Sequence, residues 1–152
     1  FSILELMAVG AILGVVSAIA LPAISELAAE RAASTEVNKV KTELDAVRDR
    51  ARKTLRCLHV TRPNESQLQI DELESSASGC GTTVASSTVR DFNGRAVEIT
   101  TDLDLTFDRT GGLTGVSDDY VEVIVAGKRR GRPDQPHTYR VYRILGLVRR
   151  LG

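Results

Sequence analysis

Twenty consecutive residues without a charge, Leu6 to Ser25, lie near the start of this 152-residue chain and limit what it can become. They are mostly Leu, Ile, Val, Ala and Gly. As an α-helix the run rises about 30 Å, the thickness of bilayer hydrocarbon. A single carboxylate, Glu5, borders it, and no Lys, Arg or His occurs before residue 26. An acid at mid-membrane costs roughly 2.5–3.5 kcal/mol, so Glu5 needs a partner or a task. The one cation within reach is the α-amino group of Phe1. Within a single helix that amine and the Glu5 side chain are held about one turn apart along the axis. The Phe1 amine of a neighbouring copy, shifted axially, is the better partner. Such a pair inside an apolar bundle fixes the register between subunits. A head-to-tail contact whose rotation does not close then repeats into a helical polymer. The plain alternative is a single-span membrane anchor with an acid near the interface.

The chain opens on Phe1-Ser2-Ile3-Leu4-Glu5-Leu6, with no Met and no basic stretch, unlike a secretory signal peptide. It reads as a product already trimmed on the polar side of the apolar run. Phe1, Glu5 and the helix-interrupting Pro22 of Ala20-Leu21-Pro22 together resemble the N-terminus of the type IV pilins and pseudopilins. The resemblance covers about the first 25 residues and rests on position and residue type at several independent points. It implies cleavage before Phe1 by a prepilin peptidase that also N-methylates the new amine. It further implies residence in the bacterial inner membrane as a single-pass protein, then assembly with identical or related pilins. The product would be an extracellular or periplasmic filament with the N-terminal helices packed in its core.

Composition agrees with an envelope protein. Trp is absent and aromatic residues make up 4% of the chain, so a core must be built from Val, Ile and Leu. Two cysteines, Cys57 and Cys80, have 22 residues between them. In an oxidising compartment a disulfide is the simplest reading, contributing roughly 3 kcal/mol by loop closure. Two unrelated buried thiols are the alternative. Two cysteines and two distant histidines make a poor metal site, and no cofactor is expected. Net charge is zero but unevenly placed: residues 128–152 hold eight basic side chains against Asp134 alone, so this tail is +7 and the remainder −7. That asymmetry marks either an anionic partner or attraction between stacked copies.

Helix is the expected state from near Ser2 to about Arg56. Beyond the apolar run, Val37, Val40, Leu44, Val47, Ala51, Leu55 and Leu58 recur at spacings of three and four, one stripe suited to lie on a sheet. Ala28, Ala29, Ala32 and Ala33 keep the middle slim. Pro22 removes a helical hydrogen bond, and Gly10 and Gly14 weaken the helix upstream. A bend or local unwinding in a filament is therefore expected between Gly14 and Pro22. The divisions are a transmembrane and assembly helix over 1–25, an amphipathic continuation over 26–56, and a β-rich head over 57–152.

In the head, a first strand is expected over Leu58–Thr61, broken by Arg62-Pro63-Asn64, and a loop over 73–83. Asn93-Gly94 predicts a two-residue hairpin joining Val89–Phe92 to Arg95–Ile99. Further strands are expected over Leu103–Phe107 and Val121–Ala126, with a turn at Thr110-Gly111-Gly112. A basic loop follows over 127–136, then a closing hairpin of Tyr139–Ile144 with Leu147–Arg150. The run Phe107-Asp108-Arg109-Thr110-Gly111-Gly112, a Val-rich strand, and a closing stretch with Gly146 and Arg149 resemble the H-type pseudopilins of type II secretion and the FimT-like minor pilins. That resemblance implies an α+β fold, a long N-terminal helix packed on antiparallel sheet. This chain lacks the longer aromatic-bearing middle segments common in those families.

No catalytic constellation is present in the sequence. Gly111-Gly112-Leu113-Thr114-Gly115 lacks the Lys-Ser/Thr of a phosphate loop and reads as a turn. His59 and His137 have no nearby nucleophile with an orienting acid in sequence. The one ligand site suggested outside the membrane is Lys128, Arg129, Arg130 and Arg132, four cations able to neutralise phosphates of DNA without regard to sequence. Basic C-terminal motifs serve some FimT-like minor pilins implicated in DNA uptake, although no aromatic residue interleaves this run for base stacking. The sequence is thus read as a structural subunit of a type IV pilus or a type II secretion pseudopilus. The second reading is a minor pilin whose basic C-terminal region binds DNA or an exported substrate.

Overall fold

The computed structural model describes residues 2–76, 79–129, 132–144 and 146–151, and their side chains except those of 22, 23, 75, 129 and 132–135. One helix, α1 (Ile3–Thr54), runs for 52 residues and about 78 Å. It passes through Gly10, Gly14 and Pro22 without interruption, so the single chain shows no unwinding in this stretch. Ser2 caps its start, and Leu55 closes it in the left-handed conformation at φ 55°, with its N–H on the Ala51 carbonyl. Leu55 therefore leaves the apolar stripe and is exposed, while Leu58 joins the core from the first strand. Arg52 and Lys53 occupy the last turn, where cations suit the helix dipole.

Among the described residues nine strands follow, in two antiparallel sheets. The first has five: β3 (Gly79–Asp91), β2 (Gln67–Ser76), β1 (Cys57–Asn64), β5 (Asp104–Phe107) and β6 (Leu113–Thr114), in that lateral order. The second has four: β4 (Val97–Ile99), β7 (Tyr120–Arg129), β8 (Arg132–Tyr142) and β9 (Val148–Arg150). The fold is α+β, a long N-terminal helix packed on antiparallel sheet. Val37, Val40, Leu44, Val47 and Ala51 are buried on the helix, as their spacing predicts. They meet Leu58, Val60, Leu68, Ile70, Val97, Ile99, Leu105, Phe107, Val123, Val125, Tyr139 and Val141 from both sheets. The helix also packs on β7, where a Cβ on Gly127 would lie 3.2 Å from that of Ala33.

Several local expectations are corrected. β1 continues through Pro63 because its register shifts between Thr61 and Asn64, so the missing N–H falls at an irregularity rather than in a regular ladder. The 73–83 segment is mostly strand: Ser75 pairs with Cys80 and Ser76 with Gly79. A Cβ at Gly81 would strike the Glu74 carbonyl, so the ladder closes only around glycine there. Asn93-Gly94 does not join paired strands. Asn93 instead accepts the Arg95 N–H on its side chain and the Ala96 and Val97 N–H groups on its carbonyl. That turn carries the chain from one sheet to the other. The basic segment expected as a loop is the end of a long hairpin, paired as far as Arg129 with Arg132.

Candidate functional site

The first half of α1 stands clear of the head. No residue of its most apolar 18-residue stretch is buried, and the helix is long and apolar enough to cross a membrane. Ile3, Leu4, Leu6, Met7, Ile12, Leu13, Val15, Val16, Ile19 and Leu21 all lie exposed. So many large aliphatic side chains cannot be left in water, since each costs about 1.5–3 kcal/mol relative to burial. At the tip, Glu5 is drawn into a capping box: the Ser2 N–H donates to Glu5 Oε2 at 3.0 Å, and the Leu4 N–H donates to Ser2 Oγ at 3.3 Å. Glu5 thus satisfies a backbone donor of its own helix in the single chain. Phe1, the other half of the expected register pair, lies outside the described residues.

Cys57 and Cys80 are joined in a disulfide, with Cα atoms 5.6 Å apart. It ties the start of β1 to the start of β3 across β2. Beside it, Arg109 donates through Nη2 to the carbonyls of Ser76 at 3.2 Å and Gly79 at 3.0 Å, fixing the β2–β3 turn. Cys57, Cys80, Asp108, Arg109, Thr110 and Thr114 line an open cleft of about 460 Å³ at this corner. Asp108 folds the adjoining turn, accepting from the N–H groups of Thr110 at 2.7 Å and Gly112 at 2.9 Å.

The suggested cationic cluster is only partly visible. Lys128 meets Glu98 at 3.1 Å and Glu65 at 3.6 Å, so this cation is paired inside the head. The side chains of Arg129 and Arg132, and Arg130 altogether, lie outside the described residues. Among the described residues no group of three His, Cys, Asp or Glu is placed to hold a metal ion.

Two features escaped the sequence. Glu36 on α1 binds Lys39 at 2.5 Å and accepts the Asn93 N–H at 3.2 Å. The Lys39 hydrogen bond, aided by Asn93 and opposed by desolvation, holds its carboxyl below the ordinary glutamate value. The other is Tyr139, fully buried on β8, whose hydroxyl has no hydrogen-bond partner among the described residues. Burial raises its pKa, with Arg150 and Lys41 opposing. An unpaired buried hydroxyl costs about 1–3 kcal/mol, so Tyr139→Phe is expected to hold or raise stability in thermal unfolding. A phenol with a raised folded pKa stabilises fully below its unfolded value near pH 10 and loses that contribution above it. The Phe variant should therefore lose less stability than wild type as pH rises above about 10.

Two crystal structures of the type IV minor pilin FimU from Pseudomonas aeruginosa (strain PAO1) share this fold. One matches with a TM-score of 0.54 at 15% identity, covering 78% of this chain and 92% of that one. The other matches with a TM-score of 0.52 at 16% identity, covering 78% of this chain and 87% of that one. No family model matches the chain, and no curated protein matches its sequence. At such identities the likeness establishes the fold, that of a pilin.

Proposed function

We propose that this chain is a structural subunit of a type IV pilus or a related secretion pseudopilus, polymerising through the first half of α1. The observation that carries this reading is the bare apolar rod from Leu6 to Leu21, unburied by its own head and bounded by Glu5. The pilin fold and its likeness to FimU support it. The unassembled subunit rests in the inner membrane with the rod in lipid, after a prepilin peptidase has exposed and methylated Phe1. Assembly exchanges lipid contact for contact with neighbouring rods. Each buried methylene is worth about 0.8 kcal/mol in either place, so the transfer is nearly balanced. Because lipid and bundle solvate the rod alike, direction and register must come from polar groups. Glu5 leaves its capping box and takes the Phe1 amine of the next subunit. The stretch from Gly14 to Pro22, already weak in helix propensity, can open in the filament where neighbours crowd it.

The DNA-binding alternative draws no support from Lys128, whose charge Glu65 and Glu98 already offset. The filament reading is tested with a photo-crosslinking residue in place of Val16. In membrane fractions it is expected to yield lipid adducts, and in sheared filament fractions adducts to neighbouring subunits. Lipid adducts alone, with no protein adduct in any fraction, identify a plain membrane anchor.

A further inference from the structure

The solvent face of the second sheet brings together residues that are far apart in sequence. Buried Val123, Val125, Tyr139 and Val141 point inward, so the alternate positions Tyr120, Glu122, Arg140 and Tyr142 point out. The register sets Tyr120 opposite Tyr142, Glu122 opposite Arg140, and Arg140 opposite Arg149 of β9. Arg140 is well held: its Nε donates to Glu122 at 3.1 Å and its guanidinium lies 4.2 Å from the Tyr120 ring centre. Arg149 is exposed and has no partner among the described residues. Like charges directly opposite on a sheet are destabilising. Here Glu122 pairs with Arg140 and leaves Arg149 unmatched, so these opposed residues carry one positive charge in excess. Leu147, 46% exposed, adds an apolar border. Tyr, Arg and an aliphatic rim are the composition of a protein-binding surface.

We propose that this face docks a second copy of the chain, which inserts a carboxylate of its first sheet between Arg140 and Arg149. The chain carries the complementary charge itself, because residues 128–152 are +7 and the rest −7. On the first sheet Asp104 is the fitting group. Its side chain is 85% exposed, and its described partner is His59 at 2.7 Å, a cation only when protonated. A single carboxylate fits better than a polyanion, since successive phosphates would also meet Glu122. The contact joins two unlike patches, so it can repeat from copy to copy in a filament whose rotation does not close. The proposal rests on the filament reading in that respect and adds a head-to-head contact to the helix bundle.

The test uses full-length chains with two different tags, co-expressed in membranes and captured through one tag. Wild-type copies are expected to pair. Arg149→Glu and Asp104→Arg should each lower capture by about tenfold, with disulfide formation and thermal unfolding unchanged. The double variant Arg149→Glu with Asp104→Arg should restore it. Pairing unaffected by Arg149→Glu, or a double variant as weak as either single one, overturns the proposal. In that case, if Arg149→Glu still incorporates into filaments and Glu5→Ala does not, the filament reading stands. Failure of wild-type copies to pair at all also overturns the proposal, and the filament reading is then decided by the Glu5→Ala incorporation result alone. Loss of binding to labelled duplex DNA in Arg149→Glu, with capture unchanged, also overturns it and assigns the face to a polyanion.

Discussion

Gly146→Ala is expected to unfold the head or weaken it by about 2–5 kcal/mol, the largest single effect on stability anticipated outside the core. Gly146 sits in the closing hairpin at φ +57°, a left-handed conformation that costs an L-residue about 1–2 kcal/mol. The larger penalty is steric. A Cβ there would overlap the Gly111 carbonyl oxygen and lie 2.9 Å from Arg48 Cδ. Gly111 is at φ +84°, and its own Cβ would lie 2.6 Å from Arg52 Cδ. Two glycine turns, one after β5 and one before β9, are thus pressed together against the last turns of α1. The neighbouring contacts leave no slack: the Leu113 N–H donates to the Arg143 carbonyl at 2.7 Å, and the Gly146 N–H to the Tyr142 carbonyl at 2.7 Å. Thermal or urea unfolding of the variant beside Gly115→Ala gives the check. Gly115 also has a positive φ, but a Cβ there meets nothing within 4 Å. The Gly115 variant should show the conformational part alone, and equal losses at both sites would contradict the packing account.

Much of this architecture was legible because a few residues carried an unambiguous period or chemistry. Val37, Val40, Leu44, Val47 and Ala51 announced the buried face of α1 by spacing, and Cys57 with Cys80 announced the disulfide by count and compartment. Most of β3 before Val89 was hidden for a physical reason. Thr82 to Asp91 are exposed along both faces of an edge strand, so no alternation of apolar and polar residues is required of them. Asn93-Gly94 misled because its turn chemistry is genuine while its consequence is a change of sheet, decided by Glu36 on a helix 57 residues away. The basic stretch after Gly127 looked like loop because its strand ends beyond the core, where charge is tolerated on both sides. The Arg140–Arg149 face could not be read at all. Its members meet only through antiparallel register, and nothing local in sequence places Tyr120 beneath Arg140. At the N-terminus, sequence showed that Glu5 needs a partner; the structure adds that the single chain supplies a provisional one, the Ser2 N–H.

That provisional partner sharpens the second large effect, the loss of assembly on removing the Glu5 carboxylate. Glu5→Ala deletes one capping contact, worth about 1 kcal/mol at an exposed helix end, and leaves the disulfide and the core untouched. The variant should remain folded and membrane-resident. What it loses is the charge that selects the amine of the next subunit, and with it the register among rods that lipid and bundle otherwise solvate alike. Glu5→Gln separates the two roles, because the amide can still accept the Ser2 N–H but carries no charge. The most direct measurement is the amount of this chain in sheared, purified filaments from cells making wild type, Glu5→Ala or Glu5→Gln at equal membrane levels. The account predicts abundant wild type and at least about tenfold less of both variants. Filaments as rich in Glu5→Ala as in wild type would contradict it.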